Sequence, residues 1–131
     1  MTTPPSSAAP SEGPRTLPGP RPERILAYAW AFASSRALAT ALESSLFTRI
    51  ARGSATAAEL SHADGASVRG TSMLLDALVA MGLVAREGSG PAARHALAPD
   101  ADAFLVEGRE GYIGDFVLVH DRLIRPNWDR L

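Results

Sequence analysis

The 131-residue sequence contains no cysteine and no lysine, and aromatic residues make up only 6% of it. Because cysteine is absent, disulfides, thiolate nucleophiles and cysteine ligands for zinc or iron–sulfur clusters are excluded. All 13 basic residues are arginine, a usage that we attribute to a GC-rich coding sequence and not to arginine-specific recognition. The longest apolar run, residues 25–33, is nine residues long. A bilayer span needs roughly 20, so the sequence predicts no membrane span.

Proline is distributed unevenly, since seven of the ten prolines lie in residues 1–22 among Ser, Thr and Gly. This composition predicts a disordered tail over residues 1–22 and a single domain over residues 23–131. The first ten residues have neither the basic nor the apolar region of a secretory signal, so we expect a cytoplasmic protein. With 11 arginines and 13 acidic residues, the domain lacks the excess positive charge that nucleic-acid binding favours.

A proline-free run follows Pro22 and predicts one long helix, or two joined helices, ending at Gly53. At about 100° per residue, the first part of this run is apolar on two faces. One face has Ile25, Tyr28, Ala29 and Phe32, and the other has Leu26, Trp30 and Ala33. A surface helix of a monomer needs one apolar face, so the second predicts contact with another domain or a second copy. The alternative is a central helix that its own domain surrounds.

The middle of the chain has the signals of two helices and a hairpin. Thr56 and Glu59 form a predicted capping box, and Ser67 is the predicted N-cap of the next helix. Two short strands are predicted over residues 83–87 and 94–98, joined by a Gly-Ser-Gly-Pro turn. Helix, turn, helix and hairpin in this order predict a winged helix.

Two further helices are predicted after the hairpin. Pro99 begins a short helix, and a longer one starts near Gly111. Pro126 lacks an amide hydrogen and restricts Arg125, so we expect it to interrupt the longer helix. Residues 128–131 are then the opening turn of a new helix.

Residues that carry catalysis or bind metals are sparse. None of His62, His95 and His120 has a second histidine three or four residues away, the spacing that a metal site on one helix needs. Asp115 and Asp121 lie near His120, but we interpret this group as a charged helix surface. The sequence has neither a Gly-x-Ser-x-Gly elbow nor a Gly-x-Gly-x-x-Gly loop between strand and helix. We therefore predict no catalytic residue, no metal site and no cofactor site in this chain.

A small winged-helix transcriptional regulator is the alternative function that the element order raises. Its recognition helix would have Arg69 as its only basic residue, and Glu87 offsets Arg86 and Arg94 in the wing. Base edges and phosphates are usually contacted by arginine, lysine, asparagine or glutamine. We therefore expect no nucleic-acid partner.

The order and spacing of these elements resemble the N-terminal dimerisation domain of S-adenosylmethionine-dependent small-molecule O-methyltransferases. The family has an alanine-rich helix ending in Leu-Phe, a Thr-x-x-Glu-Leu capped helix, a Leu-Leu-x-x-Leu-x-x-x-Gly-Leu helix and a wing. The matching residues here are Leu46 and Phe47, Thr56 with Glu59 and Leu60, Leu74 and Leu75 with Leu78, Gly82 and Leu83, and residues 94–97. Trp128 with Leu131 is similar to the Trp-x-x-Leu motif that leads into the family's catalytic domain. Ser44 and Ser45 stand where the family often has glycine, which puts the helix break in doubt.

The resemblance implies a mainly α-helical, winged-helix-like domain with one small β-hairpin, intertwined with a second copy into a homodimer. Leu26, Trp30 and Ala33 are the candidate interface residues. The implied function is dimerisation and substrate-lid formation in natural-product biosynthesis. By this resemblance we expect the family's Rossmann-type domain, with its S-adenosylmethionine (SAM) site and catalytic histidine, to be absent from this chain, and the last helix to be cut short. The expected further partner is a catalytic domain or subunit, and His120 does not match the catalytic histidine.

The resemblance also implies a pocket for a small aromatic or polyketide acceptor. In relatives, side chains of the last helix before the Trp-x-x-Leu motif cover this pocket, which implies Leu118, Val119 and Leu123 here. The first helix of the partner subunit can also reach the pocket, which implies Tyr28 and Phe32. Ordinary core packing is the alternative for all five residues.

Overall fold

A computed structural model describes residues 18–131, so the predicted tail over residues 1–22 lies mostly outside the described residues. Residues 18–21 have no regular secondary structure. The described residues form seven α-helices and one two-stranded sheet. The helices are α1 (Pro22–Glu43), α2 (Leu46–Ala51), α3 (Ala57–His62), α4 (Val68–Ala80), α5 (Pro99–Phe104), α6 (Gly114–Val119) and α7 (Arg125–Trp128), and the strands are β1 (Val84–Glu87) and β2 (Arg94–Leu97). The predicted mainly helical fold with one hairpin is confirmed.

The predicted helical run to Gly53 consists of two helices, separated at Ser44 and Ser45. Ser45 has a φ of 52°, in the left-handed region that costs a non-glycine residue roughly 1–2 kcal/mol. Its hydroxyl donates to Glu107 Oε1 at 2.8 Å, and the Arg49 guanidinium donates to the Ser44 carbonyl oxygen at 2.9 Å. These hydrogen bonds stabilise the break, so the chain keeps it with serine where the family often has glycine.

The predicted caps of α3 and α4 are both present. The Thr56 hydroxyl accepts from the Glu59 amide at 3.2 Å, and the Glu59 carboxylate accepts from the Thr56 amide at 3.1 Å. At α4, the Ser67 hydroxyl accepts from the Gly70 amide at 3.0 Å. A Cβ at residue 70 would lie 3.0 Å from that hydroxyl oxygen. A larger residue there would require the Ser67 side chain to shift by a few tenths of an ångström.

Strands β1 and β2 pair antiparallel, with Val84 opposite Leu97. In β2, His95 is buried between two exposed neighbours, which is the alternation expected of a half-buried strand. In β1 only Val84 is buried. The His95 amide donates to the Ala55 carbonyl oxygen at 2.8 Å. The hairpin is therefore tied to the loop before α3, and the predicted order of helix, turn, helix and hairpin is observed.

The C-terminal helix differs from the prediction. α6 continues through a π-helical turn, His120–Ile124, into α7, and Arg125 has helical φ and ψ of −54° and −47°. The predicted interruption at Pro126 is therefore wrong. A new helix over residues 128–131 is also wrong, because α7 ends at Trp128. The wider turn accommodates a proline, which has no amide hydrogen and whose ring crowds the preceding turn of an α-helix.

The core lies between the second half of α1 and the elements that follow it. Its largest side chains with almost no exposure are Leu46, Phe47, Leu60, Leu75 and Leu78. Ala39, Ala41 and Leu42 bring α1 into contact with this core. The first half of α1 is outside it, since residues 22–35 are all exposed.

Within the described residues, α1 is the one helix long and apolar enough to cross a bilayer, with a mean hydropathy of 1.2 in its 18-residue window. Core helices of soluble proteins pass the same test of length and composition. The expectation of no membrane association therefore stays a prediction.

Candidate functional site

The first half of α1 presents a continuous apolar surface. Five large apolar side chains there are 54–77% exposed: Ile25, Leu26, Tyr28, Trp30 and Phe32. Ala33, the third candidate interface residue, is exposed as well. Monomeric proteins rarely expose large contiguous apolar patches. This half of the helix is therefore a candidate interface.

The structure joins the two apolar faces that the sequence periodicity separates. Leu26, Trp30 and Ala33 follow one line along α1, but the ring of Trp30 lies beside that of Phe32. Their ring centroids are 6.5 Å apart, with an interplanar angle of 24°, a favourable offset arrangement for two aromatic rings. A partner that covers the Leu26 side would therefore also meet this aromatic pair.

A groove of about 580 Å³ separates α1 from the C-terminal helix, and we call it the α1 groove. Its aromatic walls are Phe32 on one side and Phe116 and Trp128 on the other. The remaining lining residues are Ser35, Leu38, Val117, His120, Asp121, Arg125 and Asp129. Apolar walls with a few polar groups, at this volume, are typical of a small-molecule site.

A buried carboxylate connects α1 to the C-terminal helix beside this groove. Asp121, with 8% of its side chain exposed, accepts hydrogen bonds from Arg36 on α1 and from Arg125 Nε at 3.0 Å. Arg125 Nη1 also donates to Asp129 Oδ2 at 3.2 Å. The two arginines and two aspartates balance one another, so this part of the groove has no net charge.

One of the five predicted pocket residues, Phe32, lines the α1 groove. Leu118 is half-buried and packs against the core, which is the alternative considered for it. Val119 and Leu123 are 51% and 65% exposed and are not among the lining residues. Tyr28 lies at a separate cleft near the start of α1. The structure of one chain does not bring the five together, and their role in an acceptor pocket stays a prediction.

The groove also contains residues that the sequence interpretation did not assign to the pocket. Phe116 and His120 are four residues apart, and their ring centroids are separated by 6.5 Å. Residues at this spacing lie on the same face of a helix, so the sequence could have predicted that these two are neighbours. Trp128 has no such signal. The π turn before it adds one residue to the helix, which rotates the following side chains by about 100° relative to a regular α-helix.

The three histidines have separate surroundings. His95 is buried in the hairpin, and its Nδ1 lies 2.9 Å from a carbonyl oxygen of the loop before α3. His62 and His120 are exposed. Within residues 18–131, no three histidine, cysteine, aspartate or glutamate side chains are placed to share a metal ion. The interpretation of Asp115, His120 and Asp121 as a charged surface is wrong for Asp121, which is buried.

Two titratable groups outside the groove have shifted pKa values. Hydrogen bonds from the Ala55 and Thr56 amides lower the pKa of Glu59, the capping residue of α3. Burial raises the pKa of Tyr112, and the negative charge of Asp115 raises it further. Neither Glu59 nor Tyr112 lines the α1 groove, so these shifts report on capping and packing.

The described residues do not fit SAM. A Rossmann-type nucleotide site needs a glycine-rich turn between a parallel strand and a helix, and the described sheet is an antiparallel hairpin. Gly108, Gly111 and Gly114 follow the helix α5 and not a strand. What residues 18–131 do present is the exposed apolar half of α1 and the α1 groove.

Comparisons with known proteins identify the class. The O-methyltransferase dimerisation domain family matches residues 26–107. The chain is 39% identical to the tetracenomycin polyketide synthesis 8-O-methyl transferase TcmO of Streptomyces glaucescens, over 84% of this chain and 32% of TcmO. It is 37% identical to the N,N-dimethyltransferase OxyT of Streptomyces rimosus, over 75% of this chain and 27% of OxyT.

The fold agrees with this family. Human N-acetylserotonin methyltransferase, solved in complex with SAM, matches with a TM-score of 0.78 over 86% of this chain and 33% of that chain. The identity there is 23%, so this likeness shows the fold alone. The chain belongs to the O-methyltransferase dimerisation domain family. It spans 32% and 27% of the length of the two curated relatives.

These comparisons favour the methyltransferase family over the DNA-binding alternative. Beyond the element order, the described residues add nothing in favour of that alternative, and Arg86 of the hairpin forms an ion pair with Asp76 of α4. The pairing reduces the positive charge available to a phosphate backbone, which supplies much of the affinity for nucleic acids.

Proposed function

We propose that this chain is the dimerisation and substrate-lid region of a SAM-dependent O-methyltransferase of natural-product biosynthesis. The observation that carries the proposal is the exposed apolar half of α1 in a chain of the dimerisation domain family. TcmO is named as an enzyme of tetracenomycin polyketide synthesis, which supports an aromatic or polyketide acceptor. OxyT is an N,N-dimethyltransferase, so oxygen as the acceptor atom rests on the family and on TcmO.

Dimerisation follows from the apolar surface that α1 leaves exposed. Fully burying a large apolar side chain contributes roughly 1.5–3 kcal/mol, and Leu26, Trp30 and Phe32 are each more than half exposed. An interface between two identical subunits related by a two-fold axis is self-complementary, so each side chain is buried twice. The proposed assembly is a homodimer with Leu26, Trp30 and Ala33 at the centre of its interface.

The α1 groove supplies the lid function. Phe32, Phe116 and Trp128 line its walls, and aromatic side chains pack favourably against the faces and edges of flat ring systems. SAM and the groups that react with it belong to a catalytic methyltransferase domain, which is the second proposed partner. Methyl transfer from SAM by this chain without any added protein would contradict the lid role.

The oligomeric state of the full chain tests the proposal. Sedimentation equilibrium at tens of micromolar should show a dimer. Ala33→Glu puts a charge at the centre of the proposed interface and should weaken the dimer by about tenfold or more, because an interfacial charge is then desolvated without a partner.

Ala31→Glu is the matched control, since it makes the same change on the same exposed half of α1. Residue 31 lies about 160° around the helix from Ala33, so its substitution should leave the dimer nearly unchanged. A monomer for the unaltered chain, or equal weakening by both substitutions, would contradict the proposed interface.

A further inference from the structure

The charged groups of the α1 groove are paired with one another. Asp121 accepts from Arg36 and Arg125, and Asp129 accepts from Arg125. Among the ionisable side chains that line the groove, His120 is the one for which residues 18–131 supply no hydrogen bond or ion pair. A polar group of a ligand in this groove would therefore find its available ionisable partner at His120.

His120 is also placed beside the aromatic walls. Its ring centroid lies 6.5 Å from that of Phe116, at an interplanar angle of 41°. Phe32 and Trp128 complete the walls, and the hydroxyl of Ser35 is already bonded to a carbonyl oxygen of its own helix at 3.3 Å. A flat ring held between the walls would thus lie close to the imidazole.

We propose that His120 determines the specificity of the α1 groove by forming a hydrogen bond with the phenolic hydroxyl or the carboxylate of a flat aromatic ligand. A neutral imidazole has one nitrogen that accepts a hydrogen bond and one that donates. It can therefore accept from a phenolic hydroxyl or donate to a carboxylate. The buried Asp121 is bonded to Arg36 and Arg125, and Arg125 also neutralises Asp129. Because the charges of the groove balance, the geometry favours phenols and aromatic acids over cationic aromatic ligands.

This inference rests on the proposed function in one respect, because it takes the groove to be part of the acceptor site. It goes further in assigning the selective contact to a single side chain. His120 here is a binding residue, and no proton transfer in the methylation step is assigned to it.

Ligand-observed NMR titrations of the full chain test the inference with two probes that share one ring system. 2-Naphthol has a hydroxyl hydrogen to donate, and 2-methoxynaphthalene has none. In mildly alkaline buffer, 2-naphthol should bind about tenfold more tightly, which is the ratio expected for one hydrogen bond of ordinary strength in a partly buried site. His120→Leu should bring the two affinities to within about twofold.

Two further variants keep the result interpretable. His62→Leu changes an exposed histidine outside the groove and should preserve the tenfold preference. Phe116→Ala removes one aromatic wall and should weaken both probes by a similar factor while keeping their ratio. Circular dichroism of each variant verifies that the chain is folded.

Two results would overturn the inference. One is a preference for 2-naphthol that persists in folded His120→Leu, and the other is a folded chain that binds neither probe. Sedimentation of the same samples separates this test from that of the proposed function. A dimer without the preference contradicts only the role of His120, and a monomer with a His120-dependent preference contradicts only the dimer.

Discussion

The two halves of α1 belong to one continuous helix and have opposite surroundings. Ala39, Ala41 and Leu42 are at most 5% exposed, whereas Leu26 and Trp30 are more than half exposed. The hydrogen bonds of a helical backbone are internal to the helix, so a helix can extend beyond the domain that anchors it. Without the anchored half, residues 22–35 would form a short isolated helix, and such helices are only marginally stable in water. We therefore expect the exposed half to depend on the anchored half, and its large side chains to stabilise an assembly and not the fold of one chain.

The largest expected effect comes from a leucine-to-alanine substitution in the anchored half of α1. The same substitution in the exposed half serves as its comparison. Leu42→Ala removes a nearly buried side chain and should lower the free energy of unfolding by about 2–5 kcal/mol, through lost burial and a residual cavity. Urea denaturation followed by circular dichroism measures this loss.

Leu26→Ala is the matched change in the exposed half. At dilutions where the chain is monomeric, it should alter the unfolding free energy by less than about 0.5 kcal/mol, while sedimentation shows a weaker dimer. Similar losses of monomer stability for both variants would mean that the exposed half also supports the fold.

The ion pair between α1 and the C-terminal helix lies where the two halves of α1 meet, and its loss should have an intermediate effect. Asp121→Asn should destabilise the chain by about 1–3 kcal/mol. Breaking a fully buried ion pair costs roughly 3–5 kcal/mol, but Arg36 and Arg125 are 39% and 43% exposed, and solvent screens them. Thermal and urea unfolding measure the change.

Asp129→Asn is the control for this prediction. Its side chain is 63% exposed, so removing its charge should cost less than about 1 kcal/mol. If both aspartate variants lose the same unfolding free energy, the burial of Asp121 does not increase the contribution of its ion pairs to stability.

The smallest expected effect concerns pH and the cap of α3, which lies on the anchored side of the molecule. Amide hydrogen bonds lower the pKa of Glu59, so the ionised form stabilises the folded state. This stabilisation is present above the ordinary glutamate pKa and is lost as pH falls through the lower folded-state value. The urea midpoint of the unaltered chain should therefore fall on acidification by more than that of Glu59→Gln. Parallel pH dependences would contradict this role of the cap.

Local signals predicted the anchored region well. The capping box of Thr56 and Glu59, the Ser67 cap and the hairpin each depend on residues close in sequence, and each is present. The family model matches residues 26–107, a range that includes these elements. The candidate site was predicted less completely, since Phe32 lines the groove and the other four pocket residues do not.

The C-terminal helix shows why the other residues of the α1 groove could not be predicted from the sequence. Pro126 by itself predicts a helix end. A π turn precedes it, and the helix continues past the proline. That turn changes which side chains face α1, and it contains Asp121, whose pairing with Arg36 joins residues 85 positions apart. Periodicity within one helix has no information about such a distant contact.

The sequence by itself determined that the chain is mainly helical, where its middle helices begin, and that the first half of α1 is apolar on more than one side. These properties follow from backbone propensity, capping and side-chain spacing, which act over a few residues. The tertiary structure decided which half of α1 enters the core, that Asp121 is buried between two arginines, and that Phe32, Phe116, His120 and Trp128 line one groove. Those outcomes depend on how distant segments pack, and packing is decided by contacts between residues that no local pattern links.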